Sequence, residues 1–125
     1  MRKFILVACL AALAPSIATA TQPASATART PAAEIDALID RVAHAEGVIF
    51  IRNGSEHTAA EAAAHLQRKR EAAGKRIATP EQFIDALGTR SSMTGKPYRV
   101  RLPDGKEIDS AVWLQGLLRE IRAGR

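Results

Sequence analysis

The sequence is poor in the residues that most often fill and fasten a small domain. Of its 125 residues only 4% are aromatic, one is cysteine and two are methionine. A lone cysteine forms no intramolecular disulfide and supports no thiolate metal cluster, so stability must come from packing. The near absence of aromatic stacking platforms also means that the net charge of +5 does not amount to a nucleic-acid signature. The apolar fraction of 46% overstates the core, because 25 residues are alanine. Beyond residue 20, the Val, Ile, Leu, Met, Phe, Trp and Tyr residues number 24, enough for one modest core that a partner could complete. The length leaves room for one ordinary domain.

What the sequence does have begins at the N-terminus. Met1-Arg2-Lys3 precedes the apolar run Phe4–Leu13, and Ala18-Thr19-Ala20 supplies small residues at the spacing a signal peptidase requires. Residues 1–20 therefore read as a cleavable signal peptide, with cleavage after Ala20 and export of the mature chain. Leu6-Val7-Ala8-Cys9 is the competing lipoprotein pattern, but five apolar residues before Cys9 make a short h-region. The mature chain loses its cysteine and two cations, so 18 Lys and Arg become 16 against 13 Asp and Glu. No later run approaches the ~20 apolar residues of a membrane-spanning helix.

Residues 21–30 are small and polar and read as a flexible leader, leaving 31–125 as the domain. Thr30-Pro31 opens a first helix over about 31–46, with Ile35, Leu38, Ile39 and Val42 on one face. Val48–Ile51 reads as a strand covered on both sides, stopped by Asn53-Gly54. Thr58 and Glu61 form a capping box for an alanine-rich second helix that ends at Gly74. Thr79 and Gln82 start a short third helix burying Phe83, Ile84 and Leu87. Tyr98–Leu102 alternates with period two, and Pro103–Lys106 turns it towards a short return strand near Glu107-Ile108. A last helix from Asp109 or Ser110 buries Val112 or Trp113 with Leu114, Leu117, Leu118 and Ile121. The expected class is α+β: a small antiparallel sheet, one strand plus a C-terminal hairpin, packed by about four helices in a single domain.

Four stretches in this order carry a family resemblance: Val48–Thr58, Glu61–Leu66, Thr79–Asp85 and Ser91–Tyr98. The chain resembles the YfeK-like proteins, grouped as domain of unknown function 5329, over about residues 31–118. That resemblance implies a signal peptide and a periplasmic location. It implies no established activity, ligand or catalytic residue.

Candidate chemistry is weighed residue by residue. His57, Glu61 and His65 are four apart and would share one face of a continuous helix, a geometry that suits zinc. His57, however, precedes the Thr58 cap, Glu61 is engaged in that cap, and no fourth ligand is near, so no metal or cofactor is expected. Gly88 to Lys96 superficially resembles a phosphate loop, but six residues separate Gly88 from Gly95 where four are needed, and Pro97 replaces the metal-binding hydroxyl. The same polar loop gathers Ser91, Ser92, Thr94, Gly95 and Lys96 ahead of Tyr98, and Arg52 and Asn53 could join it as a receptor for an anionic group. The opposing possibility is a structural turn whose hydroxyls satisfy local backbone and whose Arg52 closes an ion pair. The Arg68-Lys69-Arg70 patch fits a solvated helix C-terminus.

The expectation is a non-catalytic binding or adaptor module for an envelope protein or an anionic envelope component, not for nucleic acid. Its candidate residues are Arg52, Asn53, His57, His65, Ser91, Ser92, Thr94, Gly95, Lys96 and Tyr98. The alternative is a small envelope hydrolase or metal-dependent protein using His65 with Glu61, or Ser92 with Lys96. Export is directly testable: the denatured mass of the chain recovered from the periplasm is expected to correspond to a start at Thr21. A mass matching an acylated Cys9 terminus would overturn that expectation.

Overall fold

The computed structural model describes residues 29–125. The expected signal peptide and all but the last two residues of the expected leader lie outside them. Thr30 accepts from the Ala33 amide and Pro31 occupies the first helical position of α1, Pro31–Ala43. The helix stops short of the expected residue 46 because His44 leaves helical geometry and its amide closes the last turn on Asp40 and Val42.

The sheet has one strand more than expected. Strand β1, Ile49–Arg52, turns through Asn53 and Gly54 into β2, Ser55–His57. Both turn residues have positive φ, 51° and 79°, as a two-residue hairpin requires. Asn53-Gly54 thus reverses the strand as well as ending it. With β3, Arg99–Arg101, and β4, Glu107–Asp109, the order is β2-β1-β3-β4, antiparallel throughout. Register places His57, Phe50, Val100 and Ile108 side by side in one row, so they share a face.

That face is covered by the helices, and the expectation of cover on both sides of β1 is corrected. Phe50 and Val100 join the core, whereas Ile49 and Ile51 are only half-buried. Their face carries an ionic lattice in which Arg101 pairs with Glu56 and Glu107, and Arg99 pairs with Asp109. The aliphatic stems of arginines can shield branched side chains much as a helix would, so the residue pattern of β1 is the same in either case.

Helix α2 spans Ala59–Ala73 behind its Thr58–Glu61 capping box. Helix α3, Pro80–Phe83, starts from the Thr79–Gln82 box and widens into a π turn over Ile84–Gly88. Helix α4 runs Ser110–Arg122. Ile35, Leu38 and Val42 of α1 meet Phe83, Ile84 and the Leu114, Leu118, Ile121 stripe of α4 in one core. Trp113, half-buried, stacks edge-on to Phe50 with centroids 5.3 Å apart, while Val112 is exposed. Trp113 therefore takes the inward place that the periodicity left open between the two.

One clasp ties three helices. Arg122 of α4 donates to buried Glu34 of α1 at 2.6 and 3.2 Å and pairs with Glu81 of α3 at 2.6 Å. The two carboxylates hold the guanidinium strongly in its charged form. Arg122→Ala leaves Glu34 buried without its cation and is expected to cost about 1–2 kcal/mol, moderated because the arginine is itself half-exposed. Urea midpoints of the two proteins measure this; an unchanged midpoint would show the clasp to be inert.

Candidate functional site

The helix that roofs the open side of the β1–β2 hairpin has little to fill it with. Helix α2 presents alanines at 59, 60, 62, 63 and 64, and Leu66 is its one large buried apolar residue. Alanine favours the helix but contributes little volume, so hairpin and helix stand apart. Between them lies a cleft of about 310 Å³, at the lower end of the size of small-molecule sites. Phe50, Leu66 and Leu114 form its apolar wall, and Arg52, His65 and Tyr98 form a polar end.

The polar end is a chain of hydrogen bonds whose directions follow from chemistry. Arg52 Nη1 lies 2.6 Å from His65 Nδ1, and a guanidinium only donates, so Nδ1 accepts. The neutral ring then carries its proton on Nε2, which faces Tyr98 Oη at 3.5 Å. Lys69 Nζ donates to the same hydroxyl at 3.1 Å and to the Leu87 carbonyl at 2.9 Å. The ammonium also lies over the Tyr98 ring, 4.9 Å from its centroid, so it engages both the hydroxyl and the π face. His65 is kept neutral by desolvation, and then by the charges of Arg52, Lys69 and Arg68, which push its pKa down to about 4.

Arg52 has no carboxylate partner among the described residues, and the ion pair considered for it is replaced by the contact with neutral His65. His57 lies on β2, not on the helix, with Nδ1 3.8 Å from Glu61. Its Nε2 is buried with no hydrogen-bond partner. Glu61 accepts from the Thr58 amide at 2.8 Å, chiefly for that reason ionises more readily than a free glutamate, and borders the cleft. No group of three or more His, Cys, Asp or Glu is placed to hold a metal among the described residues. The position a metal would take at His65 Nδ1 is filled by the guanidinium.

The serine-rich loop is a neighbouring but separate feature. Its ends are bridged between Arg90 and Pro97, and Ser91 Oγ accepts from the Met93 and Thr94 amides at 3.3 and 3.4 Å. Thr94 donates to Asn53 Oδ1 at 2.6 Å, and Asn53 Nδ2 donates to Ser91 at 3.4 Å, so loop and hairpin turn are stapled together. The hydroxyls of Ser91 and Thr94 are thereby largely consumed locally, while Ser92, Gly95 and Lys96 are exposed and do not line the cleft. Of the ten candidates, the fold brings Arg52, His57, His65 and Tyr98 together.

Lys69, read from the sequence as part of a solvated basic patch, is instead half-buried at the cleft, and Gly88, considered only as the start of a phosphate-like loop, lines that cleft. Lys69 sits four residues after His65 on α2, a spacing that places both on one helix face and was open to notice. It therefore turns inward, while Arg70 pairs with Asp36 and Arg68 remains exposed at the rim of the cleft. Gly88 lines the floor, where a Cβ would stand 2.6 Å from Leu114 Cδ1.

Comparison with known proteins adds a family without an activity. A family model described as a family of unknown function (DUF5329) matches residues 29–122. The chain is 44% identical over 66 residues to an uncharacterized protein YfeK of Salmonella typhimurium, a match covering 53% of this chain and 55% of that protein. The matched region thus spans about half the length of that curated relative. No solved structure matches.

The depressed pKa of His65 has a defined consequence. Because its folded value of about 4 lies below its ordinary 6.5, the unfolded chain binds the proton first. The contribution is complete above about pH 6.5 and is lost as pH falls towards 4. Urea midpoints are expected to fall between pH 7 and pH 5, and to fall less in His65→Gln. An identical pH response in both proteins would contradict the assignment.

Proposed function

We propose that this chain, which belongs to the DUF5329 family of unknown function, is an exported, non-catalytic binding module acting in the periplasm. Its cleft between the β1–β2 hairpin and α2 engages an acceptor group of an envelope component. The observation that carries this reading is Arg52, a cation at the mouth of a preformed cleft whose side-chain contact is a neutral imidazole instead of a carboxylate. A cation kept out of an ion pair retains its attraction for an incoming anion or dipole.

The signal-peptide pattern of residues 1–20 supports export. No helix among the described residues is long and apolar enough to cross a membrane. Nothing in the geometry favours hydrolysis or metal chemistry. Ser92 and Lys96 are exposed away from the cleft, and His65 with Glu61 lacks a hydrogen bond that would make the pair work together.

A photoreactive residue at exposed, cleft-lining position Ala64 tests the reading in cells that export the protein. An adduct is expected from position 64, lost on Arg52→Ala and retained on Lys96→Ala. Adducts that survive Arg52→Ala, or that form from Ser92 and not from position 64, would overturn the assignment of the cleft.

A further inference from the structure

The hydrogen-bond chain leaves one donor unspent. Tyr98 Oη accepts from Lys69 at 3.1 Å and lies 3.5 Å from the Nε2–H of His65, so both of its hydrogen-bonding neighbours are donors. Its own O–H must then be offered to an acceptor, and the described residues provide none. Tyr98 is 9% exposed and lines the cleft, so this hydroxyl is a nearly buried donor beside a cavity. Leaving such a donor without an acceptor is costly, and the lysine and histidine behind it strengthen it as a donor.

The groups around it set the complementary chemistry. Arg52 spends one N–H on His65 and keeps the rest of its fork. Arg68 borders the same space. These groups donate only, which calls for an acceptor carrying negative charge. Glu61, an ionised carboxylate on the rim, disfavours a doubly charged guest such as phosphate. Phe50, Leu66 and Leu114, which are apolar, line the same cleft as the donors.

Deepening the proposed function, on which it rests, we propose that the cleft binds a monocarboxylate on a short apolar stem. This is the chemistry of an N-blocked amino acid or of the C-terminal residue of a peptide. The carboxylate meets the Tyr98 hydroxyl and the free guanidinium N–H groups of Arg52, and the stem lies along Phe50, Leu66 and Leu114.

Titration of the exported chain, followed by amide chemical shifts, uses N-acetyl-leucine, N-acetyl-leucinamide, acetate, inorganic phosphate and the peptide Ala-Ala-Ala-Leu. N-acetyl-leucine is expected to saturate shifts around Arg52, His65 and Tyr98, with the amide and acetate each about tenfold weaker or more. The peptide binding more tightly than N-acetyl-leucine identifies a chain terminus as the source of the carboxylate; the reverse identifies a free small molecule. Tyr98→Phe keeps the ring and removes the donor, and is expected to weaken N-acetyl-leucine about fivefold to tenfold. Arg52→Lys, which keeps the charge but not the fork, serves as the second variant if the first does not fold.

Equal binding of acid and amide, preference for phosphate, or full affinity in a folded Tyr98→Phe protein would overturn the inference. Failure of every probe would overturn it too. An adduct at position 64 that still depends on Arg52 would then leave the broader binding reading standing.

Discussion

The cleft exists because an alanine-rich helix roofs a sheet that has only one strongly apolar face. A full-sized complement of leucines on α2 would close the gap between it and the β1–β2 hairpin, and the interior would pack to ordinary density. Here α2 contributes Ala63 and Leu66 to the core, with Ala59 and Ala62 only partly buried against it, so the helix packs on α1 through small side chains that leave the hairpin side unfilled. The N-terminus of that helix is secured by its capping box, and much of the core lies instead among α1, α3 and α4. The molecule thus keeps its packing at one end and its open space at the other.

Electrostatics sharpen the contrast. Along the outer sheet face and at the Arg122 clasp, arginines meet carboxylates and their charges are satisfied. At the cleft, Arg52 meets an imidazole that desolvation and neighbouring cations keep neutral. The same residue type therefore serves as a fastener in one place and is left without a carboxylate in the other. Lys69 shows the same division within one side chain, closing the Leu87 carbonyl while orienting the Tyr98 hydroxyl.

Much of the architecture was legible from local chemistry. Thr58 with Glu61 and Thr79 with Gln82 announced two helix starts, and the alternation of Tyr98, Val100 and Leu102 announced β3 and its inward face. The β2 strand escaped because Ser55, Glu56 and His57 lack the β-branched or apolar pattern of a strand and are placed by the Asn53-Gly54 turn, by pairing with β1 and by the Glu56–Arg101 ion pair. The covering of β1 was misjudged because Ile49 and Ile51 are shielded by side chains from β2, β3 and β4, which no local pattern reveals. For the site, residue type was informative and position was not. Arg52, His57, His65 and Tyr98 converge through tertiary packing, whereas the polar loop looked site-like by composition and turns its hydroxyls largely on itself. Lys69 was concealed in a basic run whose ordinary place is in water.

The sheet is two local hairpins joined by one distant pairing, and this bears on how the molecule assembles. Residues 49–57 and 99–109 can each reverse on themselves with little loss of chain freedom, but β1 reaches β3 only by closing a loop of roughly fifty residues that holds two helices. Arg52 and His65 arrive on one side of that closure and Tyr98 on the other. The chain acquires its cleft only once these distant segments have met. Changes that slow the meeting of the hairpins therefore delay the cleft itself, even where each hairpin and helix is locally well formed.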